Sequence, residues 1–230
     1  MKSNGLELYA KIEDMLDFTD AIRRLYGAFY KELKELSVKS VVDIGCGSGA
    51  FGLGLVRDGY SVLGVDISEK MVENALSAGL DAKHIDVCDL DEKFDAATAV
   101  FDVLNYMNKD ELEKFFACVR NALNDGGYFL ADINSYYGFD EVAQGVISME
   151  KDDRYAVVEA GFDEEILTTT INLFSKQENG LYEREEGKII QYYHDKKSIE
   201  KLSGMKVVRI IKIGLYGDEA DKYLYIFKKI

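Results

Sequence analysis

Glycines 45, 47 and 49 of VVDIGCGSGAFG stand between a short apolar strand and the start of a helix. Glycine there lets the backbone bend sharply and brings a ligand within reach of main-chain N–H groups at a helix start. Gly47-Ser-Gly49-Ala-Phe-Gly52 also fits the G-x-G-x-x-G pattern of dinucleotide-binding folds, so the loop alone does not choose its ligand. Asp43, two residues before the first glycine, begins to choose. A carboxylate at that strand tip suits a ligand carrying an ammonium or a sulfonium, and it repels a pyrophosphate. Asp66 closes the next strand, 21 positions after Gly45, where a carboxylate accepts both hydroxyls of a ribose. Nicotinamide and adenosyl ligands share that ribose, so Asp66 supports the fold without selecting between them. Asp86, in HIDVCDL, falls at the tip of a third strand. It reads either as the acceptor for an adenine amino group, with the Val87 amide donating to a ring nitrogen, or as a solvated loop aspartate.

The elements that must position these groups follow from periodicity. Leu6, Tyr9, Ile12 and Leu16, then Ile22, Leu25, Phe29, Leu33 and Leu36, recur at helical spacing and predict two amino-terminal helices. From Lys39 the pattern changes to short apolar strands alternating with amphipathic helices. VVDIG, SVLGVD, AKHID, FDAATAV and GYFLADI are the strands; GAFGLGLVRDG, SEKMVENALSAG and KDELEKFFACVRNAL are the helices between them. Asn124–Gly127 are expected to end the last of these helices. Such alternation predicts βαβ units and a parallel sheet. After Ser135 it stops: YAVVEAGF, ILTTTINLFSK and LYEREEGKIIQYY, separated by DEE and QENG turns, read as an antiparallel meander. A short helix, DKKSIEKLSG, and two strands, MKVVRIIKIG and KYLYIFKKI, complete the chain.

The expected fold is therefore α/β: a Rossmann-like, seven-stranded, mostly parallel sheet with helices on both faces. Residues 1–38 form a helical cap, 39–134 and 195–230 the core, and 135–194 an inserted antiparallel subdomain covering the substrate. Charged residues at 30% against 47% hydrophobic mark a globular chain. A net charge of −14 argues against nucleic acid as a main partner, since phosphate backbones are bound through lysine and arginine. No apolar run approaches the roughly 20 residues of a membrane span, and the amino terminus lacks a signal-peptide pattern, so a cytoplasmic protein is expected. Three cysteines without CxxC spacing and two distant histidines support neither a disulfide framework nor a metal site.

DIGCGSG, GVDIS, DVCDL and FDAATAVFDVLNYM, in this order and at these separations, resemble the class I S-adenosylmethionine-dependent methyltransferases. The resemblance covers residues 39–134 and the carboxyl-terminal strands. It implies that Gly45, Cys46 and Gly47 contact the methionine end of S-adenosylmethionine, with Asp43 on its amino group. It places Asp66 and the adjoining Ile67 at the ribose, Asp86 and Val87 at the adenine, and Phe101 beside the sulfonium. LNYM and the β insertion are similar to a small-molecule branch that includes sugar-amine N-methylating enzymes, and the amino-terminal helices with Tyr9 resemble that branch's cofactor-covering cap.

Methyl transfer needs alignment and exclusion of water more than a dedicated nucleophile, so the acceptor side carries little signature. Asn105 and Tyr106 are the candidates to orient and pack on an acceptor, against the reading of a turn-forming Asn beside a core Tyr. Asn134, Tyr136 and Tyr137 follow the fifth strand. His194 reads as a hinge histidine or as a general base. The expected activity is methylation of a small molecule at nitrogen or oxygen. An RNA or tRNA methyltransferase, a non-catalytic S-adenosylmethionine-binding module and an NAD-dependent reductase are the alternatives; the last is disfavoured by Asp43. Whether the protein is a monomer or a homodimer stays open.

Overall fold

The computed structural model describes residues 5–230. Helices α1 (Gly5–Ile12) and α2 (Thr19–Lys34) lead into β1 (Ser40–Ile44), α3 (Ala50–Arg57), β2 (Ser61–Asp66), α4 (Glu69–Ala78), β3 (Ala82–His84) and β4 (Phe94–Ala99). Then come α5 (Lys109–Ala122) and β5 (Leu123–Asn134), four strands β6 (Gly145–Lys151), β7 (Arg154–Asp163), β8 (Ile166–Lys176) and β9 (Tyr182–Tyr192), and finally α6 (Lys196–Ser203), β10 (Lys206–Ile213) and β11 (Lys222–Lys228). The main sheet has seven strands in the order β10-β11-β5-β4-β1-β2-β3. Pairings among β5, β4, β1, β2 and β3 are parallel, while β11 runs antiparallel to β5 and to β10. The expected Rossmann-like class is the observed one.

Residues alternate between the two faces of this sheet, as a strand's period of two requires. Val42, Ile44, Phe129, Ala131, Tyr225 and Phe227 pack with Leu112, Phe116 and Val119 of α5 and Ile199 of α6. Val41, Leu130, Leu224 and Ile226 face the other way, onto Leu25, Phe29 and Leu33 of α2, Phe51 and Leu55 of α3 and Val72 of α4. The helices are set by local chemistry. Asn108 caps α5 through the N–H groups of Asp110 and Glu111, and Glu111 reciprocates onto the Asn108 N–H. Ser68 caps α4 and Asp195 caps α6.

The second sheet is antiparallel, in the order β6-β7-β8-β9. One strand more than the three read from the sequence is present: β6, a largely exposed edge whose side chains show no burial alternation. The turn expected at 124–127 lies instead inside β5, as an irregularity in its pairing with β4. The two amino-terminal helices part company. Helix α2 belongs to the main core, whereas Leu8 and Ile12 of α1 pack with Ala156, Ile171, Leu173 and Ile189 of the second sheet. Arg154 of β7 secures the end of α1, donating to the Lys11 carbonyl at 2.7 Å and to both carboxylate oxygens of Asp14.

A disulfide joins Cys88 to Cys118, contrary to the expectation of unpaired cysteines. Spacing carried no trace of it. The two meet because the turn after β3 packs against α5, a proximity set by tertiary structure. Among the described residues, no helix is long and apolar enough to cross a membrane.

Candidate functional site

The carboxyl ends of β1, β2, β3, β4 and β5 lie along one edge of the main sheet, the edge at which parallel sheets of this kind take ligands. The glycine loop opens there. Gly45, Gly47 and Gly49 all have positive φ, at 69°, 53° and 85°. An added Cβ at Gly45 would press on Val103 at 3.2 Å, so this residue must be small for the loop to lie against the turn after β4. At Gly47 nothing stands within 4 Å of that position, leaving open space in front of its backbone. Cys46 is buried between them, and burial pushes its thiol up to about 12, so it fills space rather than reacting.

Asp66 holds this loop as well as facing it. Its two carboxylate oxygens accept from the N–H groups of Gly47 and Ser68, each at 2.9 Å. Ile67, beside it, is 71% exposed and projects from the sheet edge. Val87 is buried and Asp86 is exposed, with one oxygen accepting from the Cys88 N–H at 2.8 Å.

Asp43 is buried at the tip of β1, and Thr98 donates to one of its oxygens at 2.9 Å. No basic side chain pairs with it among the described residues. Burial raises its carboxyl to about 7, the Thr98 hydroxyl works against that, and nearby Asp66 adds to it. A buried carboxylate without a cation is a poor structural element but a good receptor for one. With open backbone at Gly47 and a second carboxylate at Asp66, the donor set fits a ligand with an ammonium group and a ribose, which S-adenosylmethionine carries. Tyr26, Tyr30 and Phe51 wall the loop: Tyr30 stacks on Phe51 at 5.0 Å and Tyr26 meets Phe51 and Phe101 edge-on.

The acceptor-side candidates separate. Asn105 is fully buried and works as a strut. Its amide donates to the Tyr192 carbonyl at 2.8 Å and its oxygen accepts the Asn134 N–H at 3.0 Å, pinning β9 and β5 together. Asn105→Ala would leave those backbone groups unsatisfied, and about 2–3 kcal/mol of stability should be lost. In a chain of this size that corresponds to a fall in Tm of roughly 5–10 °C, readable by calorimetry. Tyr106, by contrast, is 37% exposed. Its hydroxyl lies within electrostatic range of Asp102, Tyr9 and Asp132, and burial raises its pKa. Tyr9 reaches the same place from α1, near Asp102, Lys222 and Tyr216, and is likewise raised by burial. His194 lies between β9 and α6, against the segment after β4. It is buried, donates through Nε2 to the Met107 carbonyl at 2.9 Å, and is depressed by burial below an ordinary histidine.

Four residues that the sequence reading did not single out dominate this region. Asp132, inside β5, accepts the Phe101 and Asp102 N–H groups at 2.7 and 3.0 Å. Those two residues are consecutive non-glycines with positive φ, and Asp132 holds the turn they make. Lys222 opens β11 and pairs with Asp102, with Asp132 at 3.0 Å and with the Asn134 side chain at 2.8 Å. Burial opposes its charge, but the two carboxylates outweigh that and hold it above an ordinary lysine. Gln191 of β9 donates to the other Asp102 oxygen at 2.7 Å. The usable signal was a charged residue inside the apolar run YFLADI, which a strand core tolerates only with a partner.

Comparison with known proteins bears on the domain and its fold. Residues 41–127 match the model of a methyltransferase domain. A protein of Geobacillus sp. (strain WCH70) named as a methyltransferase is 27% identical over 172 residues, 68% of this chain and 69% of that relative. An S-adenosylmethionine-dependent methyltransferase from Clostridium acetobutylicum superposes with a TM-score of 0.76 at 24% identity, covering 97% of both chains. The sugar N-methyltransferase KedS8 from Streptoalloteichus sp. has a TM-score of 0.74 at 15% identity, over 100% of this chain and 94% of that one. At such identities the two structures speak to the fold, and the domain match to the chemistry. Residues 41–127 thus carry a methyltransferase domain, in a chain whose fold is that of S-adenosylmethionine-dependent methyltransferases.

Proposed function

We propose that this protein methylates a small molecule at nitrogen or oxygen, with its second sheet covering the acceptor. When bound, S-adenosylmethionine supplies an electrophilic methyl group: the acceptor lone pair forms the new bond as the carbon–sulfur bond breaks, its electron pair stays on sulfur, and the acceptor's proton passes to solvent. The protein's residues bind, orient and exclude water. Asp43 receives the amino group and the amides of Gly45, Cys46 and Gly47 face the methionine end. Asp66 with Ile67 lies at the ribose, Asp86 and Val87 at the adenine, and Phe101 beside the sulfonium. Tyr9 and Tyr106 border the acceptor. Asn105 acts as a positioning residue, through the strand ends it joins.

One observation carries the choice of a small acceptor. Gln191 and the Tyr192 carbonyl bond directly to Asp102 and Asn105, so the second sheet is tied to the turn after β4. A lobe tied down there leaves room for a compact molecule rather than a duplex, and the acidic chain repels phosphate backbones. The sugar N-methylating fold neighbour supports the same reading. A cytoplasmic, metabolite-rich setting belongs to this proposal.

Incubation with methyl-labelled S-adenosylmethionine and separated cell-extract fractions tests it. Label should enter the low-molecular-weight fraction. Label confined to tRNA would replace this proposal with an RNA methyltransferase, and cofactor binding without transfer to any fraction would leave a binding module.

A further inference from the structure

The adenine end of the cofactor site is less firmly built than the glycine loop. Strand β3 is three residues long and lies at the outer edge of the main sheet, paired with β2. A short edge strand is among the first parts of a sheet to open. In the turn that follows it, the Asp86 carboxylate accepts the Cys88 N–H at 2.8 Å, and Val87 and Leu90 are buried in the core beneath. Helix α5 stands beside this turn and is fixed along its length. Asn108 caps its start, Leu112, Phe116 and Val119 are fully buried, and Arg120 donates to the Ser203 carbonyl at 2.6 Å. The Cys88–Cys118 bond fastens the loose turn to that rigid helix. Cys88 is exposed and Cys118 half-buried, so a thiol can reach the bond from solvent. The remaining cysteine, Cys46, is buried and free.

We infer that Cys88–Cys118 is a thiol–disulfide exchange site that sets affinity for the cofactor: the bonded form holds the adenine turn and binds tightly, and the dithiol form releases it and binds weakly. This inference rests on the reading above that puts Asp86 and Val87 at the adenine. The reactant is a dithiol reductant. One of its thiolates attacks the exposed Cys88 sulfur, the S–S bond breaks, and Cys118 leaves as a thiolate that takes up a proton. The reductant's second thiol then attacks the mixed disulfide, closing the reductant into its own disulfide, and Cys88 leaves and is protonated. Two electrons and two protons have passed from reductant to protein. In the bonded form Cys88 cannot move independently of α5, so the Asp86 carboxylate that accepts its N–H stays in register. After exchange the turn keeps only that cap and the apolar contacts of Val87 and Leu90. The ligand must then order the turn it binds, which lowers affinity. In the reducing setting of the proposed cytoplasm, an exposed disulfide serves exchange or sensing rather than permanent scaffolding.

Calorimetric titration with S-adenosylhomocysteine tests this, on protein oxidised with glutathione disulfide and on the same protein kept in dithiothreitol. The dissociation constant should rise roughly ten-fold on reduction and return on reoxidation. Thiol counting after denaturation fixes the two states: one free thiol, Cys46, in the oxidised sample and three in the reduced one. Cys118→Ser should show the weaker affinity with or without dithiothreitol, and its amide hydrogens over 86–90 should exchange faster. A bond that only supports the fold would lower Tm on reduction and leave the dissociation constant unchanged, and that result overturns the inference. So does a Cys118→Ser protein that still responds to dithiothreitol, or a count of three thiols after oxidation. Should that variant not fold, the wild-type titrations decide: a rise below about three-fold overturns the inference, and a larger, reversible one supports it. Failure of S-adenosylhomocysteine to bind the oxidised wild type would instead strike the cofactor site itself, so the two readings fail separately.

Discussion

Asp66→Ala should weaken S-adenosylmethionine binding by roughly 30- to 150-fold, about 2–3 kcal/mol. Two losses combine in it. In the proposed site the carboxylate accepts ribose hydroxyls, and it also fixes the glycine loop by accepting the Gly47 N–H. Without it that N–H loses its partner and the loop loses its anchor on β2, so the ligand meets a less ordered cradle. Asp66→Asn should fall between wild type and alanine, because one amide oxygen still accepts. Calorimetric titration reads both variants, and a dissociation constant unchanged in Asp66→Ala would remove Asp66 from the site.

Affinity for the cofactor should also depend on pH through Asp43, and strongly. Its carboxyl sits at about 7 in the free protein because burial penalises the charge. A cationic amino group brought alongside favours the ionised form, so binding lowers this pKa and releases a proton. The sign follows: the dissociation constant should improve roughly ten-fold per pH unit as pH rises towards 7, then level off. For the free protein the same shift works the other way. A carboxyl whose folded pKa lies above its unfolded value of 3.8 costs stability progressively as pH rises from about 4 to 7. The rise in Tm on adding S-adenosylmethionine should therefore be larger at pH 8 than at pH 5.5. Asp43→Asn should abolish this pH dependence and lose roughly 10- to 100-fold in affinity at pH 8, the worth of a charge-assisted contact. A flat wild-type profile would mean that Asp43 faces no cationic part of the ligand.

Much of the donor half was legible before any coordinates. The glycine loop and the aspartates at successive strand tips belong to short segments in which residue type, strand end and helix start are neighbours in sequence. Alternation of apolar residues gave the sheet and its two covering layers for the same reason. The other half depends on who sits beside whom. Lys222 meets Asn134 because β11 runs antiparallel beside β5, 88 positions apart in the chain, and nothing in KYLYIFKKI announces that register. Gln191 meets Asp102 across 89 positions. Asn105 reads locally as a turn residue, yet its amide is consumed by two backbone groups from distant strands. The Cys88–Cys118 bond and the exposed strand β6 escaped for related reasons: one is a tertiary proximity, the other an edge whose residues are not sorted by burial.

Helix α1 is fastened to the second sheet and not to the core, which ties Tyr9 to Gln191 mechanically. The two approach Asp102 from one packed lobe, so any shift of that lobe changes the carboxylate's surroundings on two sides at once.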